Sequence, residues 1–187
     1  MAFIKVIDYP QAEGRLKEIY DYLIKKRGKL ADVHKIQSLN PESILKHMDL
    51  YLHIMFGSSP LKRYQREMIA VVVSINNQCP YCVTHHGEAL LHFWKDDGKL
   101  ANFIKDYYGA GLNAKDLALC RLAETLTIHP SQIDEAYHKD QLKQPGLDDR
   151  SILDASLIIA YFNFVNRLVL GLGVELEADS GTGYEYE

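Results

Sequence analysis

The sequence is poor in cysteine and lacks any regular alternation of apolar and polar residues. Its 187 residues include only three cysteines, too few for the disulfide framework of a small secreted domain. No alternating segment or Asn-Gly hairpin predicts a pair of β-strands, so we expect an all-α chain. Residues 1–8 have no apolar stretch long enough for a signal peptide, and a cytoplasmic location is expected.

Charge of one sign is not concentrated in any part of the chain. The net charge of −4 comes from 25 acidic and 21 basic residues that are interspersed, and no basic stripe indicates a nucleic-acid partner. Residues 156–174 are apolar over nearly the length of a membrane span, but an arginine such as Arg167 near a bilayer centre costs about 2.5–3.5 kcal/mol. We therefore expect no membrane span but a core or interface helix. Asn166 and Arg167 would lie at its surface or pair across a subunit contact.

Apolar residues recur at helical spacing through most of the chain, which predicts about seven to nine helices. The segment after Pro60 contains three β-branched residues, 71–73, and is the helix with the most strand-like composition. We expect one domain, 1–177, that buries roughly 70% of its unfolded surface, and a flexible acidic tail, 178–187. The signals for helix starts are Pro41, Pro60, Cys79, Asn113, Pro130 and Asp148, and the signals for helix ends are Gly28, Gly57 and residues 171–173.

A weak internal repeat relates the two halves of the chain. A shift of 86 positions lays residues 71–73 on 157–159 and Asn77 on Asn163. The thiols of the first copy then fall on apolar residues of the second, so only the first copy keeps reactive groups. Long helices share apolar patterns by chance, and either duplication or coincidence explains the match.

The segment 79–86, with the sequence CPYCVTHH, limits the range of possible functions more than any other part of the sequence. Cys79 and Cys82 are three residues apart and His86 follows four residues later, so one helical face can carry all three groups. Pro80 suits the first position of a helix, whose N-terminal partial positive charge favours thiolate over thiol. The segment therefore resembles a redox site. Cys79 is nearer the helix end, and by that argument alone it would be the reactive thiol.

The two cysteines are also compatible with three roles outside redox chemistry. A c-type haem site needs the histidine directly after the second cysteine, and two residues intervene here. A structural zinc site needs further ligands, whereas Cys120 stands alone in another helical segment and is expected to be buried and apolar. The third role is that of two buried cysteines that only pack. We expect no metal and no cofactor, and His85 is expected at the surface.

The spacing of Glu67, Cys79, Cys82 and His86 resembles the Glu…Cys-x-x-Cys-x-x-x-His pattern of alkylhydroperoxidase D, within the carboxymuconolactone decarboxylase superfamily. The segments 59–61, 79–82 and 166–176 look like the peroxidase-related branch of that superfamily, and the resemblance covers about residues 15 to 177. It implies an all-α alkylhydroperoxidase-like fold that assembles as a closed homo-oligomer. One position departs from the pattern, because Tyr81 replaces a histidine before the second cysteine.

The resemblance also implies roles for the residues. It assigns peroxide attack to Cys82 and resolution to Cys79, and it places Glu67 in a proton relay with His86. Without the resemblance, a glutamate in an Arg-Glu pair would be a solvated helix residue. The i, i+4 spacing of Cys82 and His86 supports Cys82 as the attacking thiol. A hydrogen-bonded base directs proton transfer better than a helix dipole does.

The leading prediction is a thiol-dependent peroxidase that reduces hydroperoxides in antioxidant defence. Its partners would be a hydroperoxide substrate, an unidentified dithiol reductant and further copies of itself, as a dimer or a multiple such as a hexamer. The alternatives are a general thiol–disulfide oxidoreductase and a non-catalytic, zinc-binding or oligomeric helical domain. A lactone decarboxylase is less favoured, because its ring chemistry has no use for paired thiols.

Overall fold

The structure is a computed structural model that describes residues 2–178. These residues form helices and connecting loops without any β-strand, which confirms the all-α prediction. The predicted acidic tail lies outside the described residues, except for its first member. Helices α1 to α9 span Gly14–Arg27, Asp32–Lys35, Pro41–Phe56, Arg63–Asn76, Pro80–Trp94, Asp97–Lys105, Ala114–Ile128, Glu135–Tyr137 and Asp149–Leu172, and a π-helical stretch, His138–Lys143, continues α8.

Most helix boundaries lie where the sequence signals place them. Gly28 and Gly173 end α1 and α9 in the left-handed region, with φ of 72° and 68°, where a glycine avoids the penalty of a Cβ atom. The side chain of Asn113 accepts a hydrogen bond from the Asp116 N–H at 3.0 Å and so caps α7.

One predicted helix is wrong and two short helices were missed. Pro130 begins only a 3-10 turn, and the helix starts after Asp134, whose carboxylate accepts from the Tyr137 N–H at 2.8 Å. The missed helices are α2, with four residues, and α6, with nine. Segments this short contain little more than one or two helical periods, so their apolar spacing carries little signal.

Helix α4 lies at the centre of the molecule. Its residues 65–74 are all buried, and it packs against α5, α7 and α9. A helix that is enclosed on every side needs apolar residues all round, which explains its strand-like composition. Helices α1 and α3 form a second, smaller apolar cluster beside this main core.

Helix α9 has 24 residues, and in the described part of the chain it is the one helix long and apolar enough to span a membrane. Its inner face belongs to the main core, between α4 and α7. Its outer face leaves four large apolar side chains exposed: Leu153, Leu157, Phe164 and Leu170. The packing is that of a core helix with one uncovered side, as the sequence predicts.

Two local features fix the direction of α4 and α5. The Arg66 guanidinium donates to the carbonyls of Met55 at 2.9 Å, Gly57 at 2.9 Å and Leu61 at 3.0 Å, so it ties the end of α3 to the start of α4. A short turn through Gln78, with φ of 53°, then folds α5 back along α4. This fold-back brings the middle of α4 beside the middle of α5.

Candidate active site

The two cysteines lie at the start of α5. Cys79 is the N-cap residue and Cys82 lies in the first turn, and both are free thiols. Their exposed fractions are 0% for Cys79 and 2% for Cys82. Pro80, at the first helical position, has no N–H to satisfy, which explains why the helix begins between the two thiols.

The thiols ionise as a pair. A hydrogen bond from the Cys82 thiol lowers the pKa of Cys79, with help from the Cys82 backbone N–H and against the effect of burial. The same hydrogen bond, burial and the charge on Cys79 raise the pKa of Cys82 well above its usual value, and the Asn166 amide partly offsets this. The lowered pKa of Cys79 comes from the hydrogen bonds of Cys82, and the proton shared by the pair lies on Cys82.

A cavity of about 630 Å³, including its open mouth, lies over one of the two thiols. Cys82 and His86 line this cavity, together with the aromatic rings of Tyr161 and Phe162. Cys79 does not belong to its lining and is fully buried. A small molecule in the cavity would thus meet Cys82 first.

Glu67, on α4, lies directly behind His86. One carboxylate oxygen of Glu67 is 2.7 Å from His86 Nδ1, and the other accepts from Arg63 at 2.8 Å. Burial would raise the pKa of Glu67, but the hydrogen bonds and charges of His86 and Arg63 outweigh it and leave the pKa below its usual value. The ionised carboxylate accepts from His86 Nδ1–H, so His86 Nε2 is left as the nitrogen that can take a proton.

An amide cluster lies on the other side of the thiols. Asn166 was expected at the surface or in a subunit contact, but it is fully buried. Its side chain accepts from Asn77 at 3.1 Å and donates to Ser74 at 3.3 Å. Asn77 also donates to Asn163 at 3.0 Å, so the two residues overlaid by the internal repeat contact each other. Asn166 is buried because α9 packs that side against α4, whereas Arg167 is exposed as expected.

Tyr81, the residue that replaces the family's histidine, contacts the end of the described chain. Its hydroxyl donates to Glu177 at 2.7 Å, and His85 Nε2 is 2.8 Å from the same carboxylate. Burial would raise the pKa of Glu177, but the bonds from His85, Asp32 and Tyr81 lower it to about 2. His85 was expected at the surface, yet its side chain is only 10% exposed.

The four residues chosen from the sequence form two pairs, Glu67 with His86 and Cys79 with Cys82, and one member of each pair, His86 and Cys82, lines the same cavity. Asn166 and Glu177 were not among the residues chosen from the sequence. The 86-position repeat pairs Asn77 with Asn163 and not with Asn166, and no local pattern points to Asn166 or to Glu177. Cys120 is buried in α7, where burial raises its thiol pKa. No group of three or more potential metal ligands is present among residues 2–178.

Known proteins resemble this chain in sequence and in fold. The model of the carboxymuconolactone decarboxylase family matches residues 43–124, a range that contains Glu67, both thiols and His86. The protein YdfG of Bacillus subtilis (strain 168) is 28% identical over 147 residues, covering 71% of this chain and 88% of YdfG.

Solved structures match nearly the whole chain. An uncharacterized peroxidase-related protein from Silicibacter sp. TM1040 is 28% identical, with a TM-score of 0.82 over 94% of this chain and 93% of its own. A peroxidase-related protein from Ralstonia eutropha JMP134, described as an alkylhydroperoxidase AhpD core, has 22% identity and a TM-score of 0.85, covering 96% and 94% of the two chains. The debrominase Bmp8, in complex with 2,3,4-tribromopyrrole, has 17% identity and a TM-score of 0.78 over 95% and 93%.

Proposed function

Because this chain belongs to the carboxymuconolactone decarboxylase superfamily and has the alkylhydroperoxidase-like fold, we propose that it is a thiol-dependent peroxidase. The observation that supports this most is the position of Cys82, which lines an apolar cavity and is bonded to a second, buried thiol. A reduced pair of this kind supplies the two electrons that reduction of a hydroperoxide consumes.

In the first step, the sulfur of Cys82 attacks the terminal oxygen of the hydroperoxide. The S–O bond forms and the O–O bond breaks, so that Cys82 becomes a sulfenic acid and the remainder leaves as an alcohol or water. The proton of Cys82 passes to His86 or to the Cys79 thiolate, and the leaving oxygen takes up one proton. Asn166 assists as a hydrogen-bond donor that stabilises negative charge on Cys82.

In the second step, the Cys79 thiolate attacks the sulfur of the Cys82 sulfenic acid. A disulfide forms, and the hydroxyl group leaves as water after it gains a proton. Cys79 suits this role because its pKa is lowered and because it is too buried to meet the peroxide first. An external dithiol reduces the disulfide and is itself oxidised, which restores both thiols.

The Glu67–His86 pair supplies the proton transfers. The Glu67 carboxylate holds the proton on His86 Nδ1 and directs Nε2 to serve as acceptor, then as donor. Arg63 keeps Glu67 ionised through the bond to its other oxygen. Tyr81 has no part in this relay, because its hydroxyl donates to Glu177.

A general thiol–disulfide oxidoreductase is less well supported. Attack on a protein disulfide requires an accessible thiolate, whereas Cys79 and Cys82 are 0% and 2% exposed. The cavity admits a small molecule to Cys82, and a folded protein substrate would not reach it.

A reductive dehalogenase is the second candidate. An apolar cavity with aromatic walls suits a halogenated ring, and a protein with this fold is a debrominase. The balanced reaction would convert one carbon–bromine bond and two thiols into a carbon–hydrogen bond, a disulfide and hydrogen bromide. Its product, bromide ion, distinguishes it from peroxide reduction.

The test is a mass spectrum of the reduced protein before and after one equivalent of cumene hydroperoxide. We expect a loss of about 2 mass units, a disulfide between Cys79 and Cys82, and a Cys120 that still reacts with iodoacetamide. A parallel incubation with 2,3,4-tribromopyrrole measures bromide. Disulfide formation with the bromopyrrole but not with the peroxide would replace the first candidate by the second.

A further inference from the structure

The asparagine side chains beside Cys82 form a hydrogen-bonded chain with a definite direction. The chain runs from Asn163, on α9, through Asn77, at the end of α4, and back to Asn166 on α9. A carbonyl oxygen only accepts hydrogen bonds and a guanidinium only donates them, so contacts with these groups fix the orientation of an amide. The direction of the chain decides whether Asn166 presents an N–H group or its oxygen to Cys82.

Asn163 fixes the outer end of this chain. Its side-chain nitrogen donates to the Ile159 carbonyl at 3.0 Å and to the Thr127 hydroxyl at 3.0 Å. Arg167 donates to its side-chain oxygen at 2.8 Å. The oxygen of Asn163 is therefore the atom that lies 3.0 Å from Asn77, and Asn77 has to present its nitrogen there.

The inner end of the chain requires the same direction. The nitrogen of Asn77 also donates to the side-chain oxygen of Asn166, at 3.1 Å, so the nitrogen of Asn166 faces away from Asn77. The Ser74 hydroxyl donates to the Ala70 carbonyl at 2.7 Å. The Ser74 oxygen is thus an acceptor for the nitrogen of Asn166, at 3.3 Å.

This orientation supplies a hydrogen-bond donor to the Cys82 sulfur. The hydrogen bond with Cys79 and burial raise the pKa of Cys82, and the hydrogen bond with Asn166 acts in the opposite direction. A reversed amide would present its oxygen, which favours the protonated thiol over the thiolate. Because Asn166 and Cys82 are 0% and 2% exposed, water does not replace a donor that is lost.

We propose that Asn77 is a positioning residue, whose two N–H groups hold the Asn166 amide so that an N–H group faces Cys82. Asn77 does not line the cavity and acts only through Asn166. The consequence for catalysis rests on the proposed function. There, the N–H group of Asn166 stabilises the negative charge that the sulfur carries as it attacks the peroxide, and Asn77 keeps this donor in place.

The test titrates one thiol without peroxide, so a failure of this proposal and a failure of the peroxidase proposal are separate results. In Cys79→Ser protein, NMR of the ¹³C-labelled Cβ of Cys82 follows the ionisation of this thiol alone. Adding Asn77→Ser should raise the measured pKa by roughly 0.5–1 pH unit, the effect of about one hydrogen bond. Asn76→Ser is the matched control and should leave the pKa unchanged, since Asn76 donates to the Val72 carbonyl instead.

Two further measurements distinguish positioning from a general loss of packing. In Asn166→Leu protein, Asn77→Ser should cause no additional change in the pKa of Cys82, because the residue through which it acts is absent. In protein with asparagine unchanged, the ¹⁵N-labelled side-chain amide signals of Asn166 should shift as Cys82 ionises. Other titratable side chains that line the cavity, among them His86 and Tyr161, are the same in every variant.

Three outcomes would overturn the proposal. The first is a pKa of Cys82 that does not change in Asn77→Ser or changes as much in Asn76→Ser. The second is an equal effect of Asn77→Ser in the presence and absence of Asn166. The third is an Asn166 amide signal that stays constant while Cys82 ionises, and this measurement decides alone if Asn77→Ser does not fold.

Discussion

Cys79 and Cys82 share one hydrogen bond but have different access to the cavity. The group with the lower pKa, Cys79, is enclosed, and the group that a ligand meets, Cys82, holds the shared proton. The thiol with the lower pKa and the thiol that a ligand can reach are therefore different residues. We propose that access decides which thiol attacks, because a proton can pass between the two thiols of the hydrogen-bonded pair.

The first prediction concerns this division of roles. Cys82→Ser should abolish reaction with peroxide, whereas Cys79→Ser should stop turnover and leave a sulfenic acid on Cys82, detectable by dimedone labelling and mass spectrometry. Cys120→Ser is the matched control and should turn over normally, since Cys120 is buried in α7. A sulfenic acid on Cys79 in the Cys82→Ser protein would reverse the assignment.

The second prediction concerns the relay of Glu67 and His86. The oxidation rate should rise with pH through the first ionisation of the Cys79–Cys82 pair, because the attacking Cys82 can then pass its proton to the Cys79 thiolate. This ionisation lies below the ordinary thiol value of 9.0, since the pKa of Cys79 is lowered. His86→Ala should move this rise to higher pH, since a group that stabilises the thiolate is lost. Glu67→Gln should slow turnover roughly ten-fold or more while the thiols still titrate. Stopped-flow measurements of the oxidation rate across pH provide the readout. An unchanged pH profile of the rate in both variants would contradict the proposed proton relay.

The Glu177 carboxylate joins the described part of the segment after α9 to Asp32, Tyr81 and His85. Glu177→Gln should lower the free energy of unfolding by about 1–3 kcal/mol, the range for charge-assisted hydrogen bonds. Because the folded pKa of about 2 lies below the ordinary value of 4.5, this contribution is complete above pH 4.5 and is lost as the pH falls toward 2.

Tyr81→Phe separates this structural role from catalysis. It should cost about 1 kcal/mol of stability with little change in the peroxide rate, because the Tyr81 hydroxyl donates to Glu177 and not to Glu67 or His86. Urea unfolding measures the stability, and Glu135→Gln, at the exposed start of α8, is the control. A large loss of rate in Tyr81→Phe would place this residue in the proton path.

Helices α2 and α3 carry two histidines, His34 and His47, that are buried in the neutral form. Their folded pKa values of about 3 and 4 lie below the ordinary value of 6.5, so the unfolded chain gains protons first as the pH falls. Stability should therefore decline below pH 6.5, by roughly 2 kcal/mol per histidine at pH 5. His47→Phe should reduce the difference in urea stability between pH 7.5 and pH 5. An equal difference in the variant would contradict the neutral state of His47.

For the assembled molecule, the uncovered side of α9 predicts self-association. Leu153, Leu157, Phe164 and Leu170 are 42–54% exposed on this helix, and large apolar side chains left exposed on one helix favour contact with a second copy. We expect a dimer or a multiple of it by light scattering at micromolar concentration. Leu157→Lys should shift the protein toward monomer, whereas Leu39→Lys, exposed outside α9, should not. A monomeric wild type would refute the prediction.

Long helices were predictable from the sequence and short ones were not. Helices α1, α3, α4, α5, α7 and α9 were predictable because each repeats its apolar pattern over three turns or more and has a cap or a glycine at an end. Helices α2 and α6 are too short for such a pattern. The false start at Pro130 shows that a proline permits a helix but does not begin one; the cap, Asp134, does so four residues later.

By itself, the sequence determined the all-α class, the long helices and the pairing of two thiols with a histidine on one helix, because these depend on neighbours within one or two turns. The tertiary structure alone decided which groups surround the thiols. The fold-back of α5 onto α4 joined Glu67 to His86, the packing of α9 buried Asn166, and the chain end brought Glu177 to Tyr81. These contacts join residues that are 19 to 96 positions apart in the sequence. A pattern that repeats every few residues does not predict contacts between residues so far apart.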